Sequence, residues 1–507
     1  MKRKHFLGTI GAGFFSTFLL PMIGSKNSAD ISKRPNILLC ISDDQSWEHA
    51  SAYGDTVVET PHFDRIAEEG VLFSHAYAAA PSCAPSRAAI LTGQEMWRLE
   101  EGGLLFGALP DKFPVFPKLL EESGYSIGYT GKGYQPANHD LQDHWREPIG
   151  RAYNDIQHET PDHISSIDYA ANFGAFLESQ DADKPFFFWY GAREPHLAYE
   201  MGVGKRHGIN PDEIDVPAFL PDIDVVRNDM SDYYFEIQWQ DAQLGKMLSH
   251  LEKNNQLENT IIVVTSDNGM PFPRAKTTLC DHGVRIPLAI RWGSEVQGAR
   301  TLDDFISLTD LAPTFLQAAG VDVPNQMTGM SILPVLTSNS TGKTATGRSQ
   351  MVTAIERHVW ARPNGEGYPR RAIRTYDWLY VRNYEPDRWP AGNPDFVASH
   401  QGVYGDIDDC PTKQYMIEHQ NDPEVREKFA LAFEKLPAEE LYNVSQDPYQ
   451  INNVASDEAN REILEDLRQQ LNEYLEQTGD PRAEGRAPWD EYPFYSGDYA
   501  KKSMKND

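Results

Sequence analysis

"PNILLCISDDQ", Pro35–Gln45, is the stretch on which the fold class turns. It is a short apolar run, rich in strand-forming residues, that stops abruptly at two aspartates. That pattern predicts a strand buried on both faces with carboxylates at its C-terminal end. Buried strands of this kind belong to parallel sheets covered by helices on both sides. "NTIIVVTSDNG" repeats the pattern, ending at Asp267 and Asn268. "KPFFFWYGAREPH" is a third such strand and "YSIGYTGKG" a fourth.

Helical patterns lie between these runs. "TPHFDRIAEEG" opens on Thr60 and Pro61 and closes on Gly70. "PSRAAILTG" places Pro85 in a first turn and Gly93 near an end, and "DYYFEIQWQDAQLGKMLSHLEKNN" is a long amphipathic helix. "VRIPLAIRW" and "MVTAIERH" read as further strands of the same sheet. The alternation predicts an α/β fold with a large, mostly parallel sheet flanked by helices. Such sheets bind ligands at the carboxyl ends of their strands. Past about residue 340 the texture changes. "RRAIRTYDWLYVRNYEP" predicts an antiparallel hairpin and "EANREILEDLRQQLNEYLEQTG" a helix. The expected organisation is residues 1–30 as signal peptide and linker, 31–365 as the catalytic domain, and 366–507 as a smaller C-terminal α+β subdomain with an antiparallel sheet.

The chain has 507 residues and a formal net charge of −29. That charge argues against nucleic acid, whose binders need basic faces, and against broad attraction to anionic membranes. A small anionic group is still accessible to a local basic pocket. Lys2, Arg3 and Lys4 precede an apolar run from about Phe6 to Ile23, the pattern of an export signal. A single membrane anchor is the alternative for this marginally long run; as an export signal it predicts a periplasmic or secreted protein, lysosomal or extracellular in a eukaryote, with no stable membrane span after processing. Of four cysteines, Cys40 lies in a strand and reads as a small hydrophobe. Cys280 and Cys410 either pair or stay free, and Cys83 sits in a small polar turn.

Asp43, Asp44, Asp267 and Asn268 are all oxygen donors, which suit Ca²⁺ or Mg²⁺ better than zinc. Strand-end residues of these types also cap helices and make turns. Cys83 opens a predicted helix near Arg87, a setting that lowers a thiol pKa and makes a nucleophile, but a merely buried thiol has the same signature. Lys132 lies between two glycines, which let a backbone approach an anion closely. His196 ends a buried strand, and Lys276 follows "SDNGMPFPRA". Each of these alone is as readily structural.

Together these pieces resemble a family. "CAPSR" followed by "AAILTG" resembles the C-x-P-S-R signature of the type I sulfatases. "DD", "GK", "PH" and "SDNG" follow that family's order and approximate spacing, and "ELYNVSQDPYQINNVA" is similar to its C-terminal segment. "FLPDIDVVRNDMSDYYFEIQWQD" and "SDNGMPFPRAKTTL" look closest to the sulfamidase branch. The resemblance implies an alkaline-phosphatase-like fold. It implies that a formylglycine-generating enzyme reads Cys83, Pro85 and Arg87 and oxidises Cys83 to formylglycine. It further implies that Asp43, Asp44, Asp267 and Asn268, with the modified Cys83, hold Ca²⁺. The hydrated aldehyde would attack sulfur in line, with Asp267 as an acceptor of its proton. Arg87, Lys132 and Lys276 would neutralise the transferring group, and His196 would protonate the leaving atom.

The chain departs from the family pattern at Tyr134, where a histidine is usual two residues after the "GK" lysine. His139 and His282 are alternative sources of an imidazole. Trp97 and Arg98 are candidate sugar contacts or local packing residues. The expected substrate is a sulfated carbohydrate. A phosphonate monoester or phosphodiester hydrolase, and a non-catalytic glycan-binding relative, are the alternatives.

Overall fold

A computed structural model describes residues 34–136, 147–181, 183–344, 347–398 and 401–496. The expected export segment and His139 lie outside the described residues. The main sheet contains β1 (Asn36–Ser42), β2 (Val71–Tyr77), β3 (Ser126–Gly131), β4 (Arg151–Ala152), β5 (Phe186–Gly191), β6 (Thr260–Ser266), β7 (Leu288–Arg291) and β8 (Arg300–Ser307). Their spatial order is β4-β3-β5-β1-β6-β7-β2-β8. Every pairing is parallel except those of β7, which runs antiparallel to both β6 and β2. The strand read from "VRIPLAIRW" thus turns back. It leaves the carboxyl end of β6 through a long loop and needs no crossover helix.

Both faces of the sheet are covered, and the alternation along β1 shows how. Ile37, Leu39 and Ile41 face a core shared with Ala88, Leu91, Phe116 and Phe315. Leu38 and Cys40 face the opposite core, with Phe63, Phe173, Leu244 and Leu248. Cys40 is therefore packed as a small apolar side chain. The long helix runs Asp224–Lys253, beginning two turns before the expected segment.

The register places the site. β1 and β6 pair residue for residue from Asn36↔Thr260 to Ser42↔Ser266. Asp43 and Asp267 therefore leave the sheet side by side. β5 meets β1 at Ile41↔Gly191, and β3 meets β5 at Gly131↔Gly191. A side chain at Gly191 would sit 1.9 Å from the Lys132 carbonyl oxygen, so only glycine lets these two strand ends touch. Four strand ends thus open on one place.

A second sheet has the order β12-β11-β10-β9 and is antiparallel throughout. Its strands are β9 (Gln350–Ile355), β10 (Arg370–Thr375), β11 (Trp378–Asn383) and β12 (Glu439–Asn443). β9 was expected in the main sheet and instead edges this one. Its neighbour β10 offers six residue pairs in register, from Arg370↔Ile355 to Thr375↔Gln350. One face of the sheet packs on the helix Arg461–Thr478 through Leu464, Leu467, Leu471 and Leu475. The other face packs Ala372, Leu379 and Val381 against Tyr77 and Phe305 of the main sheet.

Leu471 is fully buried in the helix–sheet core. Leu471→Ala is expected to lower unfolding stability by about 3 kcal/mol, from lost burial and the cavity left behind. Denaturant unfolding checks this; an unchanged midpoint would mean that the helix is not held by this seam.

Candidate functional site

The helix Cys83–Thr92 begins at Cys83 and points its first turn into the convergence of strand ends. Pro85 is tolerated there because first-turn N–H groups have no partner within a helix. Gly93 closes the helix with φ 62°. Asp43, Asp44, Cys83 and Asp267 bring one ligand atom each within 4.8 Å of one another. The Cys83 thiol donates to Asp43 Oδ1 at 3.3 Å. Burial first, then the Asp43 carboxylate, pushes this thiol well above its ordinary pKa. Burial thus opposes the thiolate that a helix start would favour.

Three cations face the three carboxylates. Arg87 is fully buried, and its Nε donates to Asp267 Oδ2 at 2.7 Å. Its Nη1 donates to the carbonyls of Lys132 and Gly133 at 2.9 and 3.2 Å. Its Nη2 is buried without a partner among the described residues. Lys132 Nζ lies 2.5 Å from Asp43 Oδ2. Lys276 Nζ lies 2.5 Å from Asp44 Oδ2 and 3.1 Å from Asp408 Oδ2. His196 Nε2 approaches Asp44 Oδ2 at 3.7 Å.

The two flanking carboxyls respond oppositely. Burial opposes ionisation of Asp43, but Lys132, His196 and Arg87 outweigh it and hold its pKa low. Burial and the charge of Asp43 raise Asp267, despite Arg87. A dication among these oxygens favours the ionised form of both. The residues fit such an ion. Their donors are all oxygen apart from Cys83, and Asn268 Oδ1 is buried with no hydrogen-bond partner among the described residues.

Two further groups carry no motif in the sequence. Asp408 arrives from the loop after β11, on the far side of the predicted domain boundary. Burial opposes its ionisation, but Lys276, His196 and His358 hold its pKa well below the carboxylate range. His358 follows β9 and meets Ser82 Oγ at 2.8 Å, and burial lowers its pKa to about 4. Only their fold neighbours reveal them, although "ERH" and "DIDDC" are visible clusters.

A family model described as Sulfatase matches residues 35–321, more than half of the chain. This chain belongs to the sulfatase family. Its members hydrolyse sulfuric esters. The C-terminal model of N-sulphoglucosamine sulphohydrolase matches residues 275–389 of this sulfatase. A human N-sulphoglucosamine sulphohydrolase is 28% identical over 88% of this chain and 91% of its own length. An ulvan-active sulfatase of Formosa agariphila is 26% identical over 89% and 76%. A solved structure described as a complex with D-glucosamine-2-N,6-O-disulfate superposes with a TM-score of 0.65 at 23% identity, over 90% of this chain and all of that one. The phosphonate monoester hydrolase of Agrobacterium radiobacter shares the fold, with a TM-score of 0.63 at 20% identity, over 88% and 96%.

Several expected contacts of this sulfatase lie elsewhere. Tyr134 is fully buried in the main apolar core, its phenol near Glu101 and Glu147. Trp97 is buried edge-on to Tyr474, and Arg98 donates to the Thr478 carbonyl at 2.7 Å. Both tie the short turn that follows the signature helix to the C-terminal helix. His282 is enclosed by Trp47, Phe219 and Tyr449, with Nε2 2.7 Å from Glu48 Oε1. The four cysteines are all free, so Cys280 and Cys410 do not pair.

Arg87→Lys keeps a charge but loses the fork that joins three elements. It is expected to lower stability by about 1.5–3 kcal/mol, through lost hydrogen bonds to charged and buried acceptors, and sulfate release more than about hundredfold; wild-type melting and turnover would remove Arg87 from this role. Burial opposes ionisation of Glu48, yet His282 and His49 bring its pKa down to about 2. Its stabilising contribution is then present above about pH 4.5 and is lost as pH falls toward 2. The stability difference between wild type and Glu48→Gln should shrink across that window, and a pH-independent difference would refute the linkage.

Proposed function

We propose that this sulfatase removes sulfate, as an ester or a sulfamate, from oligosaccharides derived from sulfated polysaccharides. The observation that carries the reading is the cluster of Asp43, Asp44, Asp267 and Cys83 with Arg87, Lys132 and Lys276 packed around it. Such an array neutralises a compact tetrahedral anion beside one reactive side chain. The named substrates of the relatives are glycans, which supports a carbohydrate as the carrier.

Asp43, Asp44, Asp267 and Asn268 would hold Ca²⁺, or Mg²⁺ in its place. When bound, the cation supplies charge neutralisation for sulfate oxygens and acidifies the nucleophilic hydroxyl. Cys83, converted to formylglycine by a modifying enzyme that reads Pro85 and Arg87, supplies that hydroxyl. Arg87 holds Asp267 and keeps one buried N–H for an oxygen of the transferring group. Lys132 flanks it from the end of β3 and Lys276 from the middle of the loop after β6. His196, half-buried at the cavity wall, gives a proton to the leaving oxygen or nitrogen. Asp408 holds Lys276 from the opposite side.

Residues 2–23 provide the export signal, which places the enzyme in the periplasm or outside the cell. No described helix is long and apolar enough to cross a membrane.

Peptide mass spectrometry across residue 83 tests the reading. A mass about 18 Da below cysteine is expected in active protein, and Cys83→Ala should release no sulfate. An unmodified thiol in protein that turns over sulfated substrates would sink the formylglycine mechanism. Faster turnover of an aryl phosphonate monoester than of any sulfated sugar would favour the phosphonate hydrolase alternative.

A further inference from the structure

Beside the sulfate-sized cluster lies a cavity of about 370 Å³, lined by Asp43 and Lys132 and also by Gln135, His163, Arg193 and His196. It is larger than a sulfate group needs. Arg193 stands on its wall, two residues beyond β5, and is exposed. The deeper cations are all committed: Arg87 to Asp267, Lys132 to Asp43, and Lys276 to Asp44 and Asp408. Arg193 is not. Among the described residues its guanidinium makes no ion pair. Exposed Arg206, Arg426 and Arg461 of this acidic chain do find carboxylates, on Glu200, Glu434 and Glu458.

Its backbone, by contrast, is held firmly. The Arg193 N–H donates to Tyr169 Oη at 3.2 Å and to Glu194 Oε2 at 3.1 Å. The buried Glu194 carboxylate also accepts from Tyr169 Oη and from the Ser165 N–H, each at 2.9 Å. The carboxylate next in sequence is thus engaged by main chain and phenol. A fixed Cα and an unneutralised planar fork beside a substrate cavity make a receptor for an anion.

We infer that Arg193 forms a subsite for a second anionic group of the substrate, a carboxylate or a further sulfate on the same sugar chain, distinct from the sulfate that is cleaved. This rests on the sulfated-carbohydrate reading above. The subsite would make this enzyme prefer multiply charged saccharides, because the second anion pairs with a guanidinium that no described carboxylate neutralises.

The test compares kcat/KM on 4-nitrophenyl sulfate, and on monosulfated and doubly anionic forms of each disaccharide from which the enzyme releases sulfate. For wild type the doubly anionic form should be preferred. In Arg193→Ala the ratio of doubly to singly anionic kcat/KM should fall about tenfold or more, chiefly through KM. Arg193→Lys should lie between, keeping the charge but losing the fork. An unchanged ratio overturns the proposal. So does a parallel loss on all substrates, which would put Arg193 on the cleaved sulfate, and so does a wild type indifferent to the second anion. Failure of the underlying reading is separate: wild type would then release no sulfate from any saccharide, seen before any variant is compared.

Discussion

Three carboxylates, Asp43, Asp44 and Asp267, lie buried within a few ångströms of one another, and the rest of the structure is arranged to tolerate them. Removing such charges from water costs several kcal/mol per ion unless partners are supplied. The protein supplies one cation for each. Arg87 comes from the signature helix, Lys132 from the end of β3 and Lys276 from the loop after β6. Each comes from a separate element, so the electrostatic balance exists only when the whole sheet is assembled. With a dication added, as proposed, the same balance would favour a compact anion, because three cations and the ion would leave a surplus of positive charge where the carboxylates end.

The sheet geometry translates that balance into position. Parallel strands in register end at one level, and a residue just past each end meets the residue just past its neighbour. β1 and β6 do this without a slip over seven pairs. Gly131 and Gly191 let β3 and β5 close up beside them. Arg87 then fastens the signature helix to both sides of the opening, through Asp267 on one and the Lys132 carbonyl on the other.

Much of this was legible in the linear chain because the determining features are local. An apolar run stopping at "DD" or at "SDNG" states both that a strand is buried and where it ends. Features that depend on distant partners were not legible. β9 reads as a main-sheet strand, since a short apolar run carries no mark of which sheet it will join. Trp97 and Tyr134 have the composition of surface contacts but are buried, because a helix more than three hundred residues away covers one and the apolar core behind the main sheet encloses the other. Asp408 and His358 carry no spacing signature at all and join the site only through the second sheet and its loops.

By itself, the sequence determined the alternation of strands and helices, the carboxylates at the strand ends and the signature around Cys83. These follow from hydrophobic periodicity and from residue types that only a few chemistries require. Tertiary structure alone decided which charges neutralise which, that burial opposes the Cys83 thiolate, and that the Arg193 guanidinium lines the cavity with no ion pair among the described residues. Those properties depend on distance and on burial. Both are set when segments far apart in the chain are brought together, and neither is written in the order of residues.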